Sequence, residues 1–342
     1  MTLTNFPNGL TSFGIPVLSG MPMPFTGKYF FVDPANGSDG NTGRSPSKAL
    51  ATLYKAHSLC TAGDNDVVFL IGDGSTTATA RLSTALAQTV DSSATTGVLT
   101  WSKNATHLIG ITAPAMVAQR ARIAPPSGTY TATTFGSANF IVVSGSGCYF
   151  ANFSIFHGFS TGGAAQIALT ASGSRNAFVN VNVGGMGDQA SADDAGSRSV
   201  KITGAENLFS NCVIGLDTVT RGAANASVEF ASATARNSFI DCVFPFQTDA
   251  ASPLGILGTG NGCCDRWQLF KNCAFLNNVD STSTTMTVLG SFTTAAPGGN
   301  VILQNCMVAG ATDWGDANFF ANSYLDMAAP SNSAGGLAVN PA

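Results

Sequence analysis

Eight cysteines and three histidines are the residues of this 342-residue chain whose types best suit metal binding or nucleophilic chemistry. No pair of cysteines has the C-x-x-C spacing that is typical of a structural zinc site. No metal-binding or nucleophile motif surrounds His57, His107 or His157, which are expected to be surface or helix residues. We therefore predict no metal site, no cofactor, and no catalytic cysteine or histidine.

The densest acidic cluster is Asp193-Asp194, with Asp188 nearby in a polar stretch. A carboxylate pair could act as general acid and base or bind calcium, whereas a solvated loop explains the same residues without chemistry, and we favour the loop. The segment that begins at Asp33 is similar to a calcium loop in composition, but its twelfth position is Arg44, where the EF-hand pattern requires glutamate. The sequence thus predicts no catalytic residue.

Four of the cysteines belong to a short repeat that occurs six times between residues 150 and 308. Each copy has a large apolar residue, any residue, asparagine, an apolar residue or cysteine, any residue, and an apolar residue. The third positions, 28 to 33 residues apart, are Asn152, Asn180, Asn211, Asp241, Asn272 and Asn305. Cysteine fills the fourth position of the last four complete copies, at Cys212, Cys242, Cys273 and Cys306.

This repeat favours stacked coils of short strands. Alternate residues of a strand face opposite sides, so the large apolar residue and the cysteine or its apolar equivalent are expected to face inward. Asparagine tolerates the left-handed backbone of a sharp bend, and stacked asparagines can hydrogen-bond in a ladder. We therefore predict an all-β chain that folds as a right-handed, single-stranded parallel β-helix. An antiparallel sandwich explains the alternation but not the asparagine at one register.

The stacked cysteines are expected to form a core ladder of thiols, because free cysteine behaves as a small buried hydrophobe. Disulfides between neighbouring coils are geometrically feasible, but they are rare in a reducing compartment. Whether the ladder, or the adjacent Cys263 and Cys264, form disulfides stays open on the sequence alone.

Composition divides the chain into an extended N-terminal arm at residues 1–27, a β-helix domain at 28–327 and a C-terminal tail at 328–342. The first 26 residues carry no charge, and their prolines oppose a helix. Such an arm is expected to bury itself on a partner, the alternative being that it lies on its own β-helix. Its candidate contact residues are Phe6, Leu10, Phe13, Ile15 and Val17. Residues 48–59 have helical spacing and are expected to cover one end of the β-helix.

The charge balance restricts the partners. Only 10% of the residues are charged and the net charge is −4, which argues against the basic surface of a nucleic-acid-binding protein. No apolar run approaches the ~20 residues of a membrane span, and the N-terminus lacks the pattern of a signal peptide. We predict no nucleic-acid partner, no membrane partner, and synthesis in a cytoplasm.

Two stretches resemble known families. Residues 31–53 combine a strand, an Asn/Asp/Gly turn cluster and a short helical stretch, and they resemble the start of pectate-lyase-like β-helix domains. Residues 5–17 are similar to the N-terminal arm of tailed-bacteriophage virion proteins associated with the capsid. The resemblance implies a capsid decoration (cement) protein, a homotrimer that binds the major capsid protein on the outer surface of the virion. With no catalytic motif present, this hypothesis assigns the chain no catalysis.

The alternative is a tailspike-like β-helix protein that degrades or binds a polysaccharide. Such an enzyme needs clustered carboxylates, or a basic residue beside calcium ligands. The Asn-Thr-Asp and Gly-His-Gly motifs of polygalacturonases are absent. The charged residues on the repeat strands are few: Lys201, Glu229, Asp241 and Lys271. Three aromatic residues could stack on sugars, although packing between coils explains them equally: Trp267, Trp314 and Tyr324.

Overall fold

The computed structural model describes residues 11–12, 15–16, 26–72, 99–112, 121–124, 139–157, 165–278 and 283–326. Here the chain winds into coils, and strands of successive coils pair in parallel into three sheets of ten, seven and eight strands. The predicted parallel β-helix is therefore confirmed. Among the described residues, no helix is long and apolar enough to span a membrane.

The strands and helices have the following bounds. Sheet A contains β3 Tyr29–Val32, β4 Asp66–Ile71, β6 Thr106–Ile111, β9 Tyr149–Ala151, β12 Ala177–Val179, β15 Leu208–Ser210, β18 Thr234–Ile240, β21 Cys264–Lys271, β24 Gly299–Gln304 and β27 Ser323–Leu325. Sheet B contains β7 Arg122–Ile123, β10 Ser154–Phe156, β13 Asn182–Gly184, β16 Val213–Ile214, β19 Val243–Phe246, β22 Ala274–Asn277 and β25 Met307–Ala309. Sheet C contains β5 Leu99–Trp101, β8 Asn139–Val143, β11 Ile167–Ala171, β14 Arg198–Ile202, β17 Ala226–Ala231, β20 Leu254–Thr259, β23 Met286–Phe292 and β26 Ala311–Gly315. The helices are α1 Leu53–Leu59, α2 Gln189–Ala192 and α3 Ala317–Ala321, with a 3-10 turn at Pro46–Lys48.

One copy of the sequence repeat corresponds to one coil. The chain passes from sheet A through the asparagine bend to sheet B, then through a loop to sheet C, and through a short turn back to sheet A. The phenylalanines of the repeat stack in the core, with ring centroids 4.6 Å apart between Phe178 and Phe209 and 4.7 Å apart between Phe209 and Phe239. This spacing matches the distance between paired strands, ~4.8 Å.

The residues at the third position of the repeat lie at the bend between sheets A and B. Their φ angles are all positive: 61° at Asn152, 53° at Asn180, 53° at Asn211, 55° at Asp241, 52° at Asn272 and 49° at Asn305. The amide of Asn180 donates to Oδ1 of Asn152 at 3.0 Å, and Asn305 donates to Asn272 at 2.9 Å. Asp241 accepts from Asn272 at 2.9 Å, but a carboxylate has no N–H to donate to Asn211, so the ladder is interrupted there.

A second ladder of amides lies where the chain enters sheet A from sheet C. Its members are buried: Asn176, Asn207, Asn237 and Gln268. The backbone N–H of Asn207 donates to Oδ1 of Asn237 at 2.9 Å, and the Asn237 amide donates to the Gly204 carbonyl at 3.2 Å. This ladder was not predicted from the sequence. Its signal is a fixed spacing, because each member stands two residues before the phenylalanine of a repeat.

The eight cysteines are buried and free. In the predicted thiol ladder, the sulfur of Cys212 lies 3.3 Å from the Phe178 carbonyl oxygen, and that of Cys242 lies 3.4 Å from the Phe209 carbonyl oxygen. Cys273 and Cys306 repeat this contact in the next coils. Burial raises the pKa of the Cys242 thiol well above its ordinary value. The four thiols therefore pack as part of the core.

Helix α1 lies against the first two strands of sheet A, with Leu53 and Ala56 buried. It begins at Leu53 rather than at residue 48, because the Thr52 side chain caps it by accepting a hydrogen bond from the backbone N–H of Lys55 at 3.1 Å. The Asp39 carboxylate holds Thr52 in that position through its hydroxyl, at 2.7 Å.

Most of the predicted N-terminal arm lies outside the described residues. Two short strands, β1 Thr11–Ser12 and β2 Ile15–Pro16, pair in antiparallel fashion. The other candidate arm residues, Phe6, Leu10, Phe13 and Val17, lie outside the described residues, as does the tail at 328–342. The partner-binding role of the arm stays a prediction.

Candidate functional site

One charged pair stands in a row of residues on the outer face of sheet C. Thr170, Lys201, Glu229, Leu257 and Ser291 pair in register across five neighbouring strands of that sheet. They face outward because the residues before them in the strands fill the core, as Val200, Val228 and Ile256 do. Lys201 and Glu229 are the charged members of this row.

The Glu229 carboxylate is held by three side chains. Arg198 donates from Nε to Oε2 at 2.7 Å, the Thr259 hydroxyl donates to Oε1 at 2.6 Å, and Lys201 Nζ lies 3.4 Å from Oε1. The side chains of Arg198 and Glu229 are only 8% and 6% exposed, whereas Lys201 is 30% exposed. The pKa of Glu229 is lower than its ordinary value. Burial by itself would raise this pKa, but the hydrogen bond from Thr259 and the charges of Arg198 and Lys201 outweigh the effect of burial. Glu229 is therefore an ionised anchor at neutral pH, with Lys201 on its solvent side.

Arg221 adds a second buried guanidinium beside this group. Nε donates to Oδ1 of Asn225 at 2.6 Å, Nη1 donates to the Ser227 hydroxyl at 3.2 Å, and Nη2 donates to the Leu254 carbonyl at 2.9 Å. The side chain also lies over the ring of Phe246, 5.3 Å from its centroid. All of these partners are neutral. Burial, and secondarily the charge of Arg198, lower the pKa of Arg221 to about 9.

On its strands of sheet C the site carries more positive than negative charge, whereas Asp193 and Asp249 lie beside Gly222 in the loop that holds Arg221. Arg198, Lys201 and Arg221 contribute three cations, and Glu229 is the carboxylate that contacts two of them. Buried charges are normally paired, because an unpaired one is strongly disfavoured in a low-dielectric environment. The excess positive charge favours an anionic group as ligand, and Lys201 is the cation that such a ligand can reach from solvent.

The loops that lead into sheet C border this face. Helix α2 lies in one of them, and Gln189 at its start donates to Asp193 Oδ1 at 3.0 Å and to the Thr220 carbonyl of the next loop at 3.2 Å. Asp188 caps the helix through the backbone N–H of Ser191, and Asp194 accepts from the backbone N–H of Gly196 at 2.7 Å. These aspartates shape the loop rather than form a carboxylate pair, in agreement with the solvated-loop interpretation.

The geometry limits the chemistry of the site. Hydrolysis of a glycosidic bond by two carboxylates needs one of them protonated, with a raised pKa. Glu229 has the opposite shift. Among the described residues, no group of three or more histidine, cysteine or acidic side chains is placed to hold a metal ion. Lys201 retains hydrogen-bond donors for a ligand, because an ammonium group has three N–H donors and Glu229 lies on only one side of it.

The remaining candidates from the sequence lie apart from this site. Asp241 is at the bend between sheets A and B, and Lys271 pairs with Ile240 and Gln304 in sheet A. Trp314 is buried, whereas Trp267 and Tyr324 are exposed. Sequence reasoning missed Arg198, Arg221 and Thr259. The available signal was Arg198-Ser-Val-Lys201, two cations on one strand of an otherwise charge-poor repeat.

The histidines correct a further expectation. All three are buried: His57 lies in helix α1, as expected, whereas His107 and His157 lie neither in a helix nor on the surface. Burial lowers their pKa values, to about 4 for His57, where the charge of Lys103 adds to the effect, and to about 4 for His107. For His157, stacked on Phe140 at 4.7 Å, burial lowers the pKa to about 3. All three are therefore neutral at physiological pH.

Comparison with known proteins identifies the fold. No protein-family profile matches the chain, and no curated protein matches its sequence. Solved structures do match. A pectate lyase superimposes with a TM-score of 0.55 at 13% identity, over 83% of this chain and 63% of its own length. The chain has a pectate lyase-like fold.

Two pectin methylesterases match over most of their length. One, solved in complex with a hexasaccharide, has a TM-score of 0.53 at 18% identity, over 87% of this chain and 90% of its own. The other, from Aspergillus niger, has a TM-score of 0.53 at 14% identity, over 91% of this chain and 86% of its own length. At these identities the likeness establishes a shared fold.

The comparisons overturn the prediction of a protein without catalysis. That prediction relied on the resemblance to capsid proteins, the low charge and the absence of catalytic motifs, but the solved proteins that share the fold are named as enzymes at 13 to 18% identity. At such distances, one family's motifs do not report on the chemistry of another. The pectate-lyase-like resemblance of residues 31–53 agrees with the neighbours, whereas nothing in the comparisons concerns a phage capsid.

Proposed function

We propose that this chain is a polysaccharide-active β-helix protein that holds an acidic polysaccharide against the outer face of sheet C. The observation that carries the proposal is the excess of positive charge around Lys201, with Arg198 and Arg221 buried behind it and Glu229 as the carboxylate that contacts Lys201 and Arg198. A polysaccharide whose sugars carry carboxylates supplies the missing negative charge. The names of the structural neighbours, which act on pectin or pectate, point to the same substrate class.

In this proposal each side chain has a distinct role. Lys201 pairs with a sugar carboxylate, and Glu229 fixes the position of Lys201 and Arg198. Arg221 binds no sugar: it holds the loop at Asn225 and raises the local positive potential. Because Glu229 cannot serve as a protonated acid, the arrangement favours elimination next to a uronate carboxylate over hydrolysis by paired carboxylates. In elimination the cations neutralise that carboxylate while solvent water takes the proton of the neighbouring C–H. The electron pair of that bond becomes the new C=C double bond, and the glycosidic oxygen leaves with its bonding electrons and takes up a proton from water.

The first test is a substrate panel with the full chain. We expect binding of polygalacturonate, with release of products that carry a new double bond and absorb ultraviolet light, and no binding of neutral dextran. Methyl-esterified pectin, whose carboxylates are neutral, should bind more weakly than polygalacturonate. Binding of dextran and polygalacturonate with equal affinity, or binding of neither, would contradict the proposal.

A second candidate function is a virion-surface role, in which the chain forms a homotrimer on the outer surface of a phage capsid and contacts the major capsid protein. It is supported by the uncharged apolar composition of residues 1–26. The two functions are compatible, because the arm would attach the chain and the β-helix would face the polysaccharide.

The capsid role predicts saturable co-sedimentation of the full chain with phage heads that lack decoration. Introducing charge into the arm, as in the double variant Phe6→Asp and Phe13→Asp, should abolish this binding and leave the melting temperature of the β-helix unchanged. Equal co-sedimentation of the variant would show that the arm is not the attachment.

A further inference from the structure

A row of charged side chains runs along the turns from sheet C to sheet A. In four consecutive coils its members are Arg175 and Glu206, in the turn itself, and Arg236 and Arg266, near the start of the sheet A strands that follow it. Backbone hydrogen bonds keep the turns in register: the N–H of Arg175 donates to the Ala205 carbonyl at 2.9 Å.

These residues adopt a backbone conformation that suits glycine better than arginine. Their φ angles are 59° at Arg175, 60° at Glu206, 54° at Arg236 and 72° at Arg266. The preceding coil places Gly147 at this turn, with φ of 68°. A left-handed backbone disfavours side chains other than glycine, asparagine or aspartate, and exposed ion pairs contribute little to stability. Stability therefore does not explain three arginines here.

The backbone of the row is held by buried hydrogen bonds, whereas its arginine side chains are exposed to solvent. The buried ladder of Asn176, Asn207, Asn237 and Gln268 fixes the turns from within. Glu206 aligns two arginines, accepting from Nε of Arg175 at 2.6 Å and from Nη2 of Arg236 at 2.5 Å. The arginine side chains remain 74%, 45% and 66% exposed, for Arg175, Arg236 and Arg266 respectively.

A β-bulge places an aromatic ring at the end of the row. Ala235 pairs with Asp265 and Asn237 pairs with Gln268, so the single residue Arg236 faces two residues, Arg266 and Trp267. A bulge of this kind redirects a side chain out of the regular pleat. The ring of Trp267 is among the exposed large hydrophobic side chains. An exposed indole beside guanidinium groups offers an apolar surface and hydrogen-bond donors in one place.

We propose that Arg175, Arg236, Arg266 and Trp267 form a second binding track for an acidic polysaccharide, parallel to the axis of the β-helix. Three steps of ~4.8 Å give the track a length of about 14 Å. Guanidinium groups bind sugar carboxylates through paired hydrogen bonds, and a sugar face packs on the indole. The choice of an acidic polysaccharide rests on the proposed function, whereas the track itself rests on the turn geometry and the bulge.

The test measures polygalacturonate binding in the Lys201→Gln background, which removes the contact proposed on sheet C. Adding Arg175→Gln, Arg236→Gln and Arg266→Gln together should weaken binding at least about tenfold and flatten its salt dependence. Trp267→Ala alone should weaken binding without changing the salt dependence. The matched control, Lys48→Gln, Lys55→Gln and Lys271→Gln together, removes the same charge elsewhere and should leave the affinity unchanged.

The outcomes separate this proposal from the function proposed for sheet C. If the triple arginine variant binds as tightly as its background, or if the lysine control weakens binding equally, the track is overturned, whatever Lys201→Gln does to turnover. If single-stranded DNA of matched charge binds as tightly as polygalacturonate, the track is a general polyanion surface and the proposal fails. If Lys201→Gln leaves turnover intact while the triple variant loses affinity, the track stands and the sheet C assignment is wrong.

Discussion

Replacing Glu229 with glutamine is expected to destabilise the protein by about 3–5 kcal/mol, since breaking a buried ion pair leaves its partner as an uncompensated buried charge. Glutamine keeps the shape of glutamate and can still accept from Thr259. It removes the charge that balances Arg198, whose side chain is 8% exposed. The free energy of unfolding, measured in urea, checks this expectation.

The matched control is Glu206→Gln. Glu206 also bridges two cations, at 2.6 and 2.5 Å, but it lies at the surface, where ion pairs contribute little. We expect no measurable loss of stability in this variant. Equal effects of the two substitutions would contradict the assignment of Glu229 as a buried anchor.

The stabilisation by Glu229 should depend on pH in a defined direction. Its pKa in the folded protein is lower than the ordinary value of 4.5. The contribution is therefore fully present above pH 4.5 and is lost as the pH falls through the lower folded-state pKa. The difference in unfolding free energy between wild type and Glu229→Gln should accordingly be constant at neutral pH and shrink below about pH 4.5.

Replacing Asn237 with leucine should also cost about 3–5 kcal/mol, because it leaves several buried groups of neighbouring coils without hydrogen-bond partners, at about 1–3 kcal/mol each. The Asn237 side chain accepts from the backbone N–H and the amide of Asn207, and it donates to the Gly204 carbonyl and to Gln268. Urea denaturation measures the loss.

Asn272→Leu is the comparison for that variant. Asn272 is exposed at the bend between sheets A and B, with φ of 52°. Water can replace its hydrogen bonds, so we expect only the backbone penalty of about 1–2 kcal/mol. A larger loss for Asn272→Leu than for Asn237→Leu would show that the exposed ladder, rather than the buried one, holds the coils together.

The fold could be predicted from the sequence because successive coils need the same residue types at the same positions. The bend between sheets A and B needs a left-handed residue in every coil, and asparagine meets that need from Asn152 to Asn305. The inner amide ladder was missed because the residues around Asn176 and its equivalents differ from coil to coil, so their recurrence is hidden by the stronger repeat that follows.

The candidate site was only partly visible in the sequence. Lys201 and Glu229 were identified as charges on repeat strands, but their contact depends on the register of two strands 28 residues apart. Arg221 lies in an irregular loop, and its burial follows from the packing of Asn225, Leu254 and Phe246 around it. Such packing leaves no periodic pattern in the sequence, so the excess of positive charge around Lys201 can be seen only in the structure.

The most direct test of the proposed function compares Lys201→Gln with Lys271→Gln. Both substitutions remove one exposed ammonium group from a strand of the β-helix, Lys201 on sheet C and Lys271 on sheet A. We predict that Lys201→Gln lowers the turnover of polygalacturonate at least about tenfold, as expected for the loss of one charge-assisted contact, and that Lys271→Gln leaves it unchanged. Equal turnover by both variants and the wild type would contradict the placement of the substrate on the outer face of sheet C.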